Sequence, residues 1–460
     1  MTQQGVRWTV DQVLALAPDA GSRTAGSELG AAGPWSGTGC SGEGAVWGVC
    51  GDGDGGNGSG GGPYRTVVDV GDPSGPAYRC SCPSRKFPCK HALGLLLLWS
   101  EGEEAVPAGA EERAPDWARP WLAARRGRAQ GERGAGARSS GAGPADPEAA
   151  RRRAERRAER VTAGATELEQ RLADLLRSGL ATAEQAGYGL WEEAAARMVD
   201  AQAPGLASRV RELGAIPSSG AGWPVRLLEE CALLHLLDQG WLRRDLLPEA
   251  LATTVRTRVG LPRSPDGPPL RDDWLVLAQY DVPEPKLTTR RIWLYGTTSG
   301  RTTLLLSYGA AGRAPELSLP VGLALDAEVS AYPGTGQRRG ALGEQFSPPV
   351  PTAVRPGGVT TAEAAARYGS ALRDDPWLDS VPVTLDAVVP TPDGGSWQLA
   401  DADGHTALPL TPAATARPGL WRLVALSGGA PVTVFGEFGH RGFTPLTAWP
   451  PTPGRAVHLC

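Results

Sequence analysis

Three cysteines and a histidine crowd into one short stretch of the chain, at Cys80, Cys82, Cys89 and His91. They are spaced as Cys-x-Cys, six residues, then Cys-x-His. Three thiolates and one imidazole are the donor set of a tetrahedral Zn²⁺ site. Their softness selects zinc over magnesium or calcium, which prefer oxygen. With four protein ligands the centre is closed, and no position remains for a water or a substrate. One Zn²⁺ is therefore the expected cofactor, and its expected role is structural. A chelator should accordingly unfold the N-terminal domain and leave the C-terminal half intact.

The spacing dictates the elements that carry these ligands. Residues two apart in a strand point to one face, so Cys80 and Cys82 can grip one ion from a strand. Residues two apart in a helix diverge, so Cys89 belongs just before a helix and His91 in its first turn. Pro88 suits such a start, and the apolar run from Ala92 to Trp99 suits a buried helix. That run is far shorter than the roughly 20 residues a membrane span requires. Two predicted strands, Tyr64 to Val70 and Ala77 to Cys82, flank turn chemistry at Asp72-Pro73-Ser74-Gly75. A β-hairpin thus delivers the first two ligands and a helix the last. Residues 76 to 99 contain no acid, while Arg79, Arg85, Lys86 and Lys90 surround the site. These cations and the helix N-terminus favour the thiolate forms that bind metal.

The Cys80, Cys82, Cys89 and His91 pattern resembles the SWIM-type zinc finger, whose signature is Cys-x-Cys, a variable spacer and Cys-x-His. The resemblance covers about the first fifth of the chain. It implies a module that binds protein or nucleic acid, as in transposases, helicase-like proteins and stand-alone bacterial proteins. Such stand-alone proteins are often encoded near AAA ATPases of the MoxR type and von Willebrand factor A-like proteins, which implies an assembly of that kind as protein partner. Arg79, Arg85, Lys86 and Lys90 would meet an acidic patch or phosphates. Phe87 is either a stacking surface or a cap on the zinc site. A protein partner is favoured, because the whole chain is acidic and the finger lacks the Asn and Gln side chains that read bases.

The 460 residues suggest roughly three domains. A net charge of -4 speaks against an obligate nucleic-acid binder. Arginine far outnumbers lysine, which occurs only at 86, 90 and 286, so arginine counts carry less weight than the two lysines in the finger. Seven cysteines in a chain this long make a poor disulfide framework and suit a reducing compartment. The N-terminus has no apolar core of signal-peptide length, so a cytoplasmic protein without membrane contact is expected.

Other patterns carry less chemistry. Cys40 and Cys50 lack further ligands at metal spacing and read as buried or free thiols. The stretch Gly53 to Gly58 fits a dinucleotide fingerprint by letter, but a strand follows where a helix is needed. Asp52, Asp54 and Asn57 do not complete a calcium loop. Cys231 and His235 share a helix face without a further partner, which favours core packing. His405, His440 and His458 are scattered, with no nucleophile or carboxylate arrangement, and no enzyme is expected. His458 and Cys460 could take up adventitious metal.

The expected architecture is α+β and multidomain. A small zinc-stapled hairpin and helix domain occupies 1–103 and a flexible linker 104–146. A helical region follows over 147–262, then a β-rich region over 272–350 and a second over 362–460. Between Arg125 and Arg160 eleven arginines meet five acids. That stretch is either a phosphate-tracking arm or the solvated start of a helix. From Pro147 a long helix carries Val161, Ala165, Leu168, Leu172 and Leu175 in one apolar stripe. Leu420 to Leu426 reads as a strand.

Overall fold

The computed structural model describes residues 7–51, 63–71, 76–84, 86–109, 113–127, 147–261, 264–265, 267–284, 287–310, 315, 317–334, 338–452 and 454–460. The glycine-rich fingerprint around 53–58, Arg85 and most of the arginine-rich arm before Pro147 lie outside them.

The ligand-bearing hairpin belongs to a larger sheet than its sequence suggests. Strands β1 (Trp35–Ser41), β2 (Ala45–Cys50), β3 (Tyr64–Asp69) and β4 (Ala77–Cys80) run antiparallel, and β5 (Ala108–Gly109) joins β1 in parallel. The order is β4-β3-β2-β1-β5, which leaves β4 at an edge. Two short helices, α1 (Val10–Leu14) and α2 (Ala20–Glu28), precede the sheet, and α3 (Lys90–Ser100) covers one face. Thr9 and Gln12 form a reciprocal capping box on α1, which fixes where that helix starts. Gly26 and Gly94 let α2 and α3 approach closely. A Cβ on Gly26 would lie 2.7 Å from Leu93 Cβ, and one on Gly94 would lie 2.6 Å from Leu29 Cβ.

Every residue of α3 from His91 to Trp99 is buried. A helix apolar on all sides must be covered on all sides, and the first sheet covers only one. Helices α2 and α1 cover other sides of α3, and Trp274, Val276, Ile292 and Leu294 of a second sheet lie in the same core. Residues 1–103 and 272–350 therefore share one hydrophobic core rather than forming separate units. Because that core is shared, zinc loss is expected to loosen the second sheet as well as the first.

The outer face of the first sheet is covered by the segment expected to be linker. Helix α4 (residues 119–127) and the turn before it place Ala114, Ala118 and Leu122 on Ala45, Trp47 and Val67, with Trp117 and Trp121 alongside. Burial on both faces explains why Ala45 to Cys50 reads as a nearly continuous apolar run. The mobile linker expected over 104–146 is thus packed structure over 104–109 and 113–127.

The helical region comprises α5 (Pro147–Ser178), α6 (Ala181–Asp200), α7 (Pro204–Ala215), α8 (Trp223–Leu242) and α9 (Glu249–Val259). The stripe Val161, Ala165, Leu168, Leu172 and Leu175 is buried against Trp191, Met198, Leu234 and Trp241. Cys231 lies in this core, while His235 points outward and bonds Glu169 at 2.8 Å.

The C-terminal half holds two antiparallel sheets. The second sheet consists of β6 (Leu270–Pro283), β7 (Leu287–Gly296), β8 (Thr302–Ala310), β9 (Leu323–Ala331), β10 (Gly340–Gln345) and β11 (Val350–Pro351). After α10 (Thr361–Asp374), the third contains β12 (Ser380–Asp393), β13 (Ser396–Asp401), β14 (Ala407–Pro409), β15 (Val432–Gly439), β16 (Gly442–Trp449) and β17 (Val457–His458). The short α11 (Pro412–Thr415) and α12 (Gly419–Ser427) interrupt it. The expected strand at Leu420 to Leu426 is therefore a helix. Pro418 opens it, Gly428 closes it at φ +54°, and Leu420 and Leu423 face the core while Trp421 faces out. Leu275, Leu277 and Trp293 pack on Phe435, Leu446 and Trp449 to join the two sheets. Glu437 fastens them further, accepting from Tyr280 Oη at 2.8 Å and Trp293 Nε1 at 2.7 Å. The whole is α+β. Among the described residues no helix is long and apolar enough to cross a membrane.

Candidate metal centre

The four ligands converge, although the strand expected to carry both Cys80 and Cys82 ends at Cys80. Cys80 ends β4, Cys82 lies in the bend after it, Cys89 is the N-cap of α3 and His91 sits in that helix's first turn. Their sulfur and nitrogen atoms all lie within 4.8 Å of one another. Cys80 Sγ is 3.7 Å from His91 Nδ1. A tetrahedral zinc with metal–sulfur bonds of about 2.3 Å spaces its ligand atoms by about 3.7 Å. The pocket is thus the right size for that ion, and among the described residues it is the one cluster of three or more such groups. Cys89 and His91 are buried, and Cys80 and Cys82 are half-buried.

The electrostatics call for a cation. A hydrogen bond from Cys89, helped by His91 and Thr66, holds the Cys80 thiol down to about 3 against its burial. That thiolate in turn pushes Cys89 up, with burial adding to it. Burial chiefly, and Cys80 after it, pushes Cys82 up. Three crowded sulfurs cannot all ionise beside one another unless a positive ion neutralises them, which is what Zn²⁺ does. The chemistry and the size of the donor set fit zinc, with Cys80, Cys82, Cys89 and His91 as its ligands.

Residues outside the motif support the ligands, and sequence reasoning missed them. Thr66 on β3 faces Cys80 in register, with Oγ1 3.2 Å from the sulfur. The Tyr64 ring lies 4.6 Å from that of His91, tilted by 35°. Strand register sets the first pairing and the packing of α3 on β3 the second, so no local pattern could have supplied them. Arg7 bonds the carbonyls of Trp99, Gly102 and Val106 at 2.7–2.9 Å and ties down the end of α3.

The surrounding side chains expected to touch a partner are placed unequally. Arg79 and Lys90 are exposed. Lys86 bonds Asp19 at 2.6 Å, and that lysine, with the Ser22 amide, draws the Asp19 carboxyl down to about 2. Lys86 is therefore already partnered, although an exposed pair of this kind opens at little cost. Phe87 is 45% exposed, so it does not cap the zinc site. Farther along, Arg151 and Arg152 pair with Glu155 and Glu148 one turn away, and Arg160 bonds Gln202 at 2.8 Å. From Pro147 the described part of the arginine-rich arm is thus a solvated helix start, while Arg126 at the end of α4 pairs with Glu43. At the C-terminus His458 bonds the Gln279 carbonyl and Cys460 approaches that of Leu446, so the two are not directed at one ion.

Comparison with known families agrees with this geometry. Residues 64–99 match the SWIM zinc finger, and residues 156–259 match the SWIM-associated four-helix bundle domain. The second match spans most of the bundle that follows the linker. No curated protein and no solved structure matches the chain.

Proposed function

We propose that the chain is a non-catalytic zinc-dependent interaction protein whose finger docks onto another protein. The observation that carries this reading is the exposed Phe87 on the loop between the ligand pairs. The ion would fix both ends of that loop, at Cys82 and Cys89. A large aromatic held on a rigid support is the kind of side chain that anchors protein interfaces, because little conformational freedom is lost on binding. Arg79 and Lys90 flank it with positive charge and suit an acidic rim on the partner. An assembly with an AAA ATPase and a von Willebrand factor A-type protein is one such partner. The pairing of Arg151, Arg152 and Lys86 with acids weakens the rival reading, a phosphate-tracking surface.

The test is a pull-down from nuclease-treated lysate with full-length protein and its Phe87→Ala variant, each checked for zinc content. The expected outcome is a protein partner that survives nuclease and is weakened about tenfold or more by the variant, with zinc retained. Steeply salt-dependent binding of DNA or RNA, unaffected by Phe87→Ala, would instead favour the nucleic-acid reading.

A further inference from the structure

Between the second and third sheets lies a cleft of about 830 Å³, far from the zinc ligands in the chain. One wall is the second sheet, and the other is α10 with β12. Four arginines line it: Arg301, Arg338 and Arg339 from the first wall and Arg367 from α10. Asp374 is the sole acid among the lining residues. Among the described residues, none of the four guanidinium groups makes an ion pair or a side-chain hydrogen bond, although Arg339 stacks on Tyr332. By contrast, three other arginines of this half each have a carboxylate: Arg271 has Asp326, Arg290 has Asp281 and Arg291 has Glu437.

Arg338 and Arg367 come from opposite walls yet face each other's charge. The cleft walls partly desolvate Arg338, and Arg367 adds like-charge repulsion, so the Arg338 guanidinium is held below its usual range. Bringing two cations together without an anion is unfavourable, and a ligand of the opposite sign removes the cost. Paired guanidinium forks match the oxygens of phosphate groups. Thr302, Thr303, Ser370 and Thr384 add hydroxyls to the lining, beside apolar surface from Trp274, Val329 and Phe435. A concave volume of this size is that of a small-molecule site rather than a macromolecular surface, and a lining more polar than apolar suits a charged ligand.

We propose that this cleft binds a small molecule bearing a diphosphate, clamped between Arg338 and Arg367. Neither the zinc centre nor its partner enters this inference, and either can fail without the other.

Calorimetric titration of the full-length protein with inorganic pyrophosphate tests it. Saturable binding at one site per chain is expected, weakening as salt is raised. Arg338→Ala and Arg367→Ala should each lower the affinity about tenfold or more, while Arg151→Ala, on the distant bundle, leaves it unchanged. Because each cleft substitution also relieves repulsion, the melting temperature without pyrophosphate should hold or rise, and the rise on adding pyrophosphate should disappear. No saturable binding at millimolar pyrophosphate, or wild-type affinity in the double variant, would overturn the proposal. So would a clear fall in the melting temperature of both single variants, which would make the arginines structural.

Discussion

At the scale of single residues, the zinc centre rests on one arrangement of charge. Cys80 is ionised readily, and its thiolate disfavours ionisation of Cys82 and Cys89, so the set is stable only with a cation among the sulfurs. Protein purified without added zinc should contain about one zinc per chain by elemental analysis, and Cys82→Ser should lose most of it. Full occupancy in a Cys80→Ser/Cys89→Ser double variant would rule the assignment out. Thr66 and Tyr64 act at one remove, through the sulfur and ring they touch. The four ligands were legible in sequence because their types and spacing suffice. The supporting pair was not, because it depends on how the hairpin closes and on how α3 packs across it.

At the scale of elements, α5 and α8 show a polar group that packing left inside. Asp238 on α8 is fully buried, and as a carboxylate it finds no hydrogen-bond donor among the described residues, whereas in its protonated form it can donate to Glu169. Burial, with the charge of Glu169 beside it, pushes its carboxyl up to about 9. Glu169 itself takes hydrogen bonds from His235 and Gln239. An unfolded aspartate titrates near 4, so between about pH 4 and about pH 9 the folded chain keeps a proton that the unfolded chain has lost. Stability should therefore fall as pH rises through that window, by up to about 1.4 kcal/mol per unit from this group. Asp238→Asn should be more stable than the parent at about pH 8, nearly equal to it close to pH 4, and less pH-dependent between. Denaturant midpoints across the range measure this, and an unchanged slope in the variant would contradict it. The apolar stripe of α5 was readable from its period. The burial of Asp238 was not, since nothing local says which face of α8 meets α5.

At the scale of the whole molecule, a joint around Trp377 fastens the bundle to the C-terminal half. Trp377, just before β12, inserts into the bundle core, and its Nε1 donates to the Leu233 carbonyl at 2.8 Å. Beside it Arg258 of α9 bonds Asp375 at 2.6 Å, and that carboxylate is fully buried. Arg258→Ala would strand the buried charge, at a cost of about 3–5 kcal/mol. Thermal unfolding should show a markedly lower midpoint, and hydrogen exchange should rise first in α9 and around 375–378. An Arg258→Ala variant as stable as the parent would mean that the joint contributes nothing. The double variant Arg258→Ala/Asp375→Asn should recover part of the loss, because no ion is then left unpaired.

What the sequence determined by itself is local. Cys80, Cys82, Cys89 and His91 specified a metal and a strand-to-helix geometry, because a tetrahedral ion tolerates few arrangements of ligands so close in the chain. Periodicity specified α5, and runs of strand-forming residues between glycine-rich turns specified most of the C-terminal strands, among which β9 alternates in burial. Tertiary structure decided what lies beyond a turn or two. It placed 113–127 on the first sheet, where Ala118 and Leu122 supply too little apolar pattern to be noticed alone. It also made 420–426 a helix, where seven mostly apolar residues suit either conformation and the bounding Pro418 and Gly428 tip the balance. And it brought Arg338 and Arg367 together from different elements, because long-range packing, not spacing, sets which side chains share a cleft.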